Sequence, residues 1–421
     1  MSKNSVTTFI GVIAIVLLAC SPTVIVQEIL GLDATAIPSP TALVRNQTVN
    51  ATATNAPSST VIAQTETPSA PGAPSPNAPA VSSPTVASAA IQAPTPTNTP
   101  SPVLALRDDL PALALRDWPR PANDNGRCIH FLPAGYYSQR DFDIQIPRMK
   151  DLQMRWVLAI YSDENQLRLA AAQFKAAGIT PIWRKLIRAH QPYLSWDRDI
   201  QIIKQAGLPP YMQIYNEPDS DAEWDGNPVN RGQWILNFLQ SAQIVYNSGG
   251  YVGVQVLDEE WLIALIHAIK DRKGDKLFGR MVFIPHPYGL NHPPNYVDDE
   301  NAVMGFRLFA DIFQKEIGFV PPFIAGEGGW KFKATDDNRF PMVDIKIHSL
   351  YHVALFRWFL DGKLSDGKPL PDYLFAVCPW ILAGQMEGAA WYDSFEGERT
   401  QTIADIKKIP IFTRKFSWDK K

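Results

Sequence analysis

Two glutamates stand at the ends of apolar, strand-like runs. Glu217 closes "YMQIYNEP" (Tyr211–Pro218), directly after Asn216, and Glu327 lies within "FIAGEGGW" (Phe323–Trp330). Two carboxylates facing one cleft can break a glycosidic bond with retention, one as acid/base and one as nucleophile, at a separation of about 5–5.5 Å. The pair works only if their surroundings keep one protonated and the other ionised. A third run, "MVFIPHPYG" (Met281–Gly289), supplies an imidazole at His286 and a phenol at Tyr288. Either donor beside Glu327 would favour its charged form. The Asn216 amide can donate to a sugar 2-hydroxyl, a contact that strengthens in an oxocarbenium-like transition state.

These residues need a scaffold that brings distant strand ends together. From Trp118 onward, short apolar segments alternate with amphipathic ones. Strands are expected at 127–133, 154–162, 179–186, 211–218, 251–258, 281–289, 323–330 and 373–382, with helical segments between most of them. The segments lack strict polar alternation, as parallel strands covered on both faces should. Eight such units predict an α/β chain folded as one (β/α)₈ barrel over 118–421, with active groups at the C-terminal strand ends. An open doubly wound sheet would need a glycine-rich first turn, which "FLPAGYY" does not supply.

Asn-Glu-Pro on the fourth strand, His-x-Tyr on the sixth, a glutamate on the seventh and Trp380 on the eighth resemble clan A glycoside hydrolases. These are retaining (β/α)₈ enzymes that include cellulases, mannanases and xylosidases. The resemblance covers about residues 118–421. It implies Glu217 as acid/base, Glu327 as nucleophile, Asn216 as the 2-hydroxyl contact, His286 and Tyr288 as support, and Trp380 as a sugar platform. The cellulase-type family carries an Arg at the end of its second strand and a His near its third. Here the second strand ends "IYSDEN", and Arg184 on the third is the candidate replacement. The resemblance therefore reaches the clan rather than one family.

Other residues have plainer readings. Trp330 and Trp391 are candidates for sugar contact and equally for core packing, since aromatics do both. His130, at the end of the first strand, either faces the site or is a satisfied core histidine, and the core reading is the one taken. Asp258, Glu259 and Glu260 are read as a helix start, where acidic groups complement the dipole. His348 and His352 have helical i, i+4 spacing but lack the adjacent glutamate of the zinc-protease pattern, so no metal and no cofactor are expected. Cys128 and Cys378 are expected to be buried free thiols, because neighbouring parallel strands rarely give disulfide geometry.

The first 103 residues have another character. An apolar run from Phe9 to Ala19 follows Lys3 and ends in Leu17-Leu18-Ala19-Cys20. It is short for a membrane span and fits a signal h-region over 1–20. Its end resembles a bacterial lipobox, with Cys20 lipidated; an uncleaved signal anchor is the competing reading. Residues 21–103, rich in Pro, Ser, Thr and Ala, are expected to be a disordered linker. The chain would then be extracellular and tethered to the membrane, with an oligo- or polysaccharide as partner. A net charge of −3 argues against nucleic acid. The reading from a different class is a carbohydrate-binding or adhesion protein on a barrel without turnover. Carboxylates more than about 7 Å apart would favour it.

Overall fold

The computed structural model describes residues 103–298 and 302–419. The lipidation at Cys20 and all but the last residue of the linker lie outside the described residues. The described chain forms a nearly closed parallel barrel of seven strands with helices between them. The strands are β1 (Trp156–Tyr161), β2 (Thr180–Lys185), β3 (Tyr211–Gln213), β4 (Tyr251–Val254), β5 (Met281–Phe283), β6 (Phe323–Ala325) and β7 (Leu374–Val377), hydrogen-bonded in that order. The main helices are α1 (Gln139–Asp151), α2 (Glu164–Ala177), α3 (Trp196–Gln205), α4 (Arg231–Asn247), α5 (Glu259–Asp271), α6 (Phe306–Ile317), α7 (Ile345–Asp361) and α8 (Thr400–Lys407).

The expected first strand is not a regular strand. Residues 127–130 make isolated parallel bridges, Arg127 to Val377 and His130 to Leu158. The segment nevertheless bonds on both flanks. His130 N–H donates to Pro379 on one side, and Phe131 N–H donates to Leu158 on the other. It thus spans the gap between β7 and β1. Pro379, opposite it, has no N–H to return, and the next bond back to the segment comes from Leu382 N–H to the His130 carbonyl. Helix α1 was not legible as a periodic segment, yet its start is marked by a capping box between Ser138 and Asp141.

Strand residues alternate between two cores. Trp156, Leu158 and Ile160 of β1 point into the barrel interior, while Val157, Ala159 and Tyr161 pack under the helices. Both faces are buried, which is why the sequence shows no polar alternation. The helices are set by local chemistry. Asp163, Asp258 and Asp344 cap α2, α5 and α7 by accepting first-turn N–H groups. Asp258 therefore has the helix-start role expected of it. His348 and His352 lie inside α7, where His348 Nδ1 is 2.8 Å from Thr402 Oγ1 and His352 Nδ1 is 2.8 Å from the His348 carbonyl.

The base of the barrel is plugged. Trp118 packs on Tyr211 and Tyr251, the first residues of β3 and β4, with Trp156, Phe375 and Phe416 in the same cluster. The Tyr211 hydroxyl donates to the Pro119 carbonyl at 2.6 Å. The "LALRD" repeats (104–108 and 113–117) lie on this side. Leu104 N–H donates to Arg272 and Leu113 N–H to Gly279, both ahead of β5.

Cys128 and Cys378 form a disulfide, correcting the expectation of free thiols. The expectation assumed two regular neighbouring strands. Cys128 instead lies in the irregular closing segment and Cys378 just past the end of β7. Both point into the interior cluster with their Cα atoms 4.2 Å apart.

Candidate active site

The inward alternation carries polar groups to the mouth. On β2, Ile182 faces inward and Trp183 outward, so Arg184 faces inward. On β3, Tyr211 faces inward and Met212 outward, which turns Gln213 in. Gln255 follows the outward Val254 of β4 in the same sense. Each is a buried polar side chain that needs a partner.

The partners are the two glutamates and their neighbours. Arg184 Nη1 donates to Glu327 Oε1 at 2.7 Å, and the Tyr288 hydroxyl donates to Glu327 Oε2 at 2.9 Å. His286 Nδ1 lies 2.8 Å from Glu217 Oε1 and 3.8 Å from Glu327 Oε2. Ligand atoms of Glu217, His286 and Glu327 all fall within 4.8 Å of one another. The nearest carboxylate oxygens are therefore closer than the 7 Å that would have favoured the binding-protein reading. The loops are tied as well. Tyr288 bridges to Gly329, and Gly289 N–H donates to the Gly329 carbonyl. Gly328 has φ 154°, and a Cβ there would press on the Pro287 carbonyl at 2.8 Å, so the close approach requires glycine.

The Asn-Glu-Pro turn is strained. Tyr215 and Glu217 have φ of 64° and 34°, costs of roughly 1–3 kcal/mol each for residues with a Cβ. Surrounding bonds hold them there. Tyr215 hydroxyl donates to the Gln191 carbonyl at 2.8 Å, and Glu217 N–H donates to the Gln255 side chain. Asp219 Oδ2 accepts from Leu257 and Asp258 N–H at 2.7 and 2.6 Å. Asn216 sits between Gln213, which donates to its Oδ1 at 3.1 Å, and Glu223, which accepts from its Nδ2 at 2.8 Å. Glu223 also meets Arg188 at 2.9 Å and Arg184 at 3.6 Å. One amide hydrogen of Asn216 is thus committed within the protein.

The electrostatics favour an ionised Glu327. Burial alone would raise Glu327, but His286, Arg184, His130 and the Tyr288 hydrogen bond outweigh it and hold its carboxyl well below the usual range. Of these, His130 is neutral near pH 7, because burial pulls its imidazole down to about 3. Arg184 is the fixed charge. Burial, with the charges of Glu327 and Glu217, pushes the Tyr288 hydroxyl well above its usual value, so the phenol remains a donor. Glu217 has the His286 contact but no arginine on it among the described residues.

His130 is not the satisfied core histidine expected. Its Nε2 lies 3.7 Å from Glu327 Oε1, its ring is 4.4 Å from Trp380, and neither ring nitrogen has a hydrogen-bond partner. Trp380 lies at the site, in a cluster with Tyr288. Trp330 and Trp391 do not join it. Trp330 donates its indole N–H to the His292 carbonyl at 2.7 Å and packs on Tyr351, and Trp391 packs on His352 and Phe356. Both are core residues. The sequence reading missed Gln213, Glu223 and Gln255. The available signal was a glutamine inside each of two otherwise apolar strand runs. Glu217, His286 and Glu327 could each lend one atom to a metal ion. A cation there would compete with the Arg184 guanidinium already on Glu327.

No protein-family model and no curated protein matches the chain. Among solved structures, the β-glucuronidase of Lactobacillus rhamnosus matches at TM-score 0.35 and 11% identity, over 71% of this chain and 51% of that one. The Ruminococcus gnavus β-glucuronidase in complex with D-glucuronic acid matches at 0.32 and 8%, over 67% and 48%. This chain spans about half the length of those two proteins. The D-psicose 3-epimerase of Clostridium cellulolyticum H10, with D-tagatose, matches at 0.34 and 8%, over 67% and 96%.

Proposed function

We propose that the protein is a retaining glycoside hydrolase acting on O-glycosidic, β-linked bonds of extracellular glycans. The observation that carries this reading is the unequal carboxylate pair around one imidazole. Glu217 and Glu327 share His286 Nδ1, and Arg184 and Tyr288 donate hydrogen bonds to Glu327. One oxygen of each carboxylate lies within 4.8 Å of the other, in keeping with the roughly 5–5.5 Å spacing of retaining pairs.

In the first step the Glu327 carboxylate attacks the anomeric carbon. The bond to the leaving oxygen breaks as Glu217 donates its proton to that oxygen. An ester links the sugar to Glu327. In the second step Glu217, now a carboxylate, takes a proton from water while the water oxygen attacks the same carbon and the ester opens. Asn216 would direct its remaining amide hydrogen to the 2-hydroxyl. Trp380 would give the sugar ring an apolar face. The chemistry needs no cofactor.

The Cys128–Cys378 disulfide supports an oxidising compartment, in keeping with export and a membrane tether near Cys20. The test is reducing-end release from a panel of β-linked polysaccharides and aryl glycosides, with Glu327→Gln beside the wild type. Activity abolished by the substitution upholds the reading. Activity that survives it removes Glu327 as nucleophile. Glycan binding without turnover would return the protein to the adhesion class.

A further inference from the structure

The mechanism leaves one carboxyl beside the site unused. Glu223 is buried on a 3₁₀ turn, Asp221–Trp224, in the loop after β3. The loop fixes its backbone. Glu223 N–H donates to the Ser220 carbonyl and its own carbonyl accepts Ala189 N–H, both at 3.1 Å, while the Trp224 indole N–H donates to the Pro218 carbonyl at 2.8 Å. Its Oε2 accepts from Arg188 Nη1 at 2.9 Å, and Arg188 Nε is held in turn by Asp225 at 2.9 Å. Its Oε1 accepts from Asn216 Nδ2 at 2.8 Å and lies 3.6 Å from Arg184 Nη2, the cation whose Nη1 is on Glu327. Glu223 Oε1 is thus the common neighbour of the residue before the acid/base and of the guanidinium on the nucleophile.

These contacts fix which way the Asn216 amide faces. A carbonyl oxygen only accepts. The Gln213 amide atom 3.3 Å from the Tyr215 carbonyl must therefore be Nε2. The same Nε2 is 3.1 Å from Asn216, so the Asn216 atom that meets it is Oδ1. Nδ2 is then the atom facing Glu223, which accepts. A flipped amide would set oxygen against oxygen at Glu223 and nitrogen against nitrogen at Gln213. Both clashes would fall on buried polar groups, where a lost partner is expensive. The second Nδ2 hydrogen is the donor that Asn216 has left for a substrate.

We propose that Glu223 is the positioning residue for the sugar 2-hydroxyl: from behind Asn216 it turns the amide so that the remaining Nδ2 hydrogen meets that hydroxyl. This rests on the glycosidase reading and deepens it, giving the enzyme glycosides with a free 2-hydroxyl as its substrate class. Glu223 itself touches no substrate atom. The contact it sets strengthens in the transition state, so losing Glu223 lowers kcat more than it raises KM. Its influence through Arg184 falls on every glycone alike. Its influence through Asn216 falls only on a glycone that carries the hydroxyl, and this separates positioning from a merely structural role.

The test takes the fastest of the 4-nitrophenyl β-glucoside, galactoside, mannoside and xyloside together with its 2-deoxy counterpart. The ratio of their kcat/KM values is compared in the wild type, Glu223→Ala, Asn216→Ala and the double variant. Asn216→Ala is expected to lower the ratio about tenfold or more. Glu223→Ala is expected to lower it by a similar factor, mainly through kcat, and the double variant to lower it no further. Where Glu223→Ala does not fold, Glu223→Gln keeps the volume and decides instead. Arg188 has only donors and holds the glutamine oxygen, so the glutamine NH₂ faces Asn216 and the ratio falls in the same direction. Glu223 variants that slow both substrates by the same factor overturn the proposal, as does a double variant whose loss is the product of the single losses. If the wild type cleaves none of the four, the hydrolytic reading fails and calorimetry with cello-, manno-, galacto- and xylotetraose decides. A tetraose bound about tenfold more weakly by Glu223→Ala, Asn216→Ala and the double variant alike upholds the positioning on a binding protein. Binding that Glu223→Ala leaves unchanged, or no binding at all, removes it.

Discussion

Arg184 Nη1 lies 2.7 Å from Glu327 Oε1, and neither side chain is more than 5% exposed. Removing one partner of such a pair strands the other charge, at a cost of about 3–5 kcal/mol. Arg184→Met is therefore expected to lower the urea midpoint markedly. Its activity should also respond to pH. With the guanidinium gone, Glu327 loses its fixed counter-charge and its pKa rises. The acid limb of kcat/KM is expected to move to higher pH, and an unmoved limb would separate Glu327 from that ionisation.

Glu217→Ala distinguishes leaving groups. Alkyl and sugar leaving groups need a proton at the departing oxygen, and the variant should cleave them about 10²–10⁴-fold more slowly. Dinitrophenyl glycosides do not need it, so their first step should hold while the second slows. Added azide should then restore turnover and yield a glycosyl azide of the substrate's own anomeric configuration. Azide without effect would assign the proton to another group.

Asp219 anchors the strained turn from two residues away. Burial raises its carboxyl to about 7, against the opposing hydrogen bonds from Asp258 and Leu257, and its Oδ1 is buried without a partner. The folded state thus holds a proton that the unfolded chain, with an ordinary aspartate pKa of 3.8, releases. This contribution is fully present below about pH 4 and is lost as pH rises through 7. Asp219→Asn should flatten stability between pH 4 and 7 relative to the wild type, as read from urea midpoints. Parallel curves would place the titration elsewhere.

The Cys128–Cys378 bridge closes a loop with a sequence separation of 250 residues. Its loss, by reduction or by Cys128→Ser with Cys378→Ser, is expected to cost about 2–4 kcal/mol. Thiol titration should count two further thiols after reduction in denaturant. Equal urea midpoints with and without reductant would show that the bridge contributes nothing.

The glutamates, His286, Tyr288 and Arg184 were legible because a barrel gathers the C-terminal ends of its strands whatever lies between them. The residues behind them were not. Glu223 meets Asn216, Arg184 and Arg188 only once a loop folds back, and the sequence of "DSDAEWDG" marks no such return. Gln255 reaches the Glu217 N–H across a strand boundary, which depends on register. Trp330 and Trp391 show the converse: aromatic character says that a side chain will be covered, not by what. The two cysteines were misread because the geometry of ideal strands was applied to a segment that pairs only at single bridges.

The described chain begins on the plugged base, where Trp118 wedges against Tyr211 and Tyr251, and the carboxylates open at the other end. A bead, electrode or carrier protein coupled through a short leash ahead of residue 103 would hold the barrel with its mouth outward. Immobilised in that orientation, the protein should keep free access to large dissolved polymers. The same attachment made at the loops carrying Tyr288 and Trp380 would seal the mouth against the support.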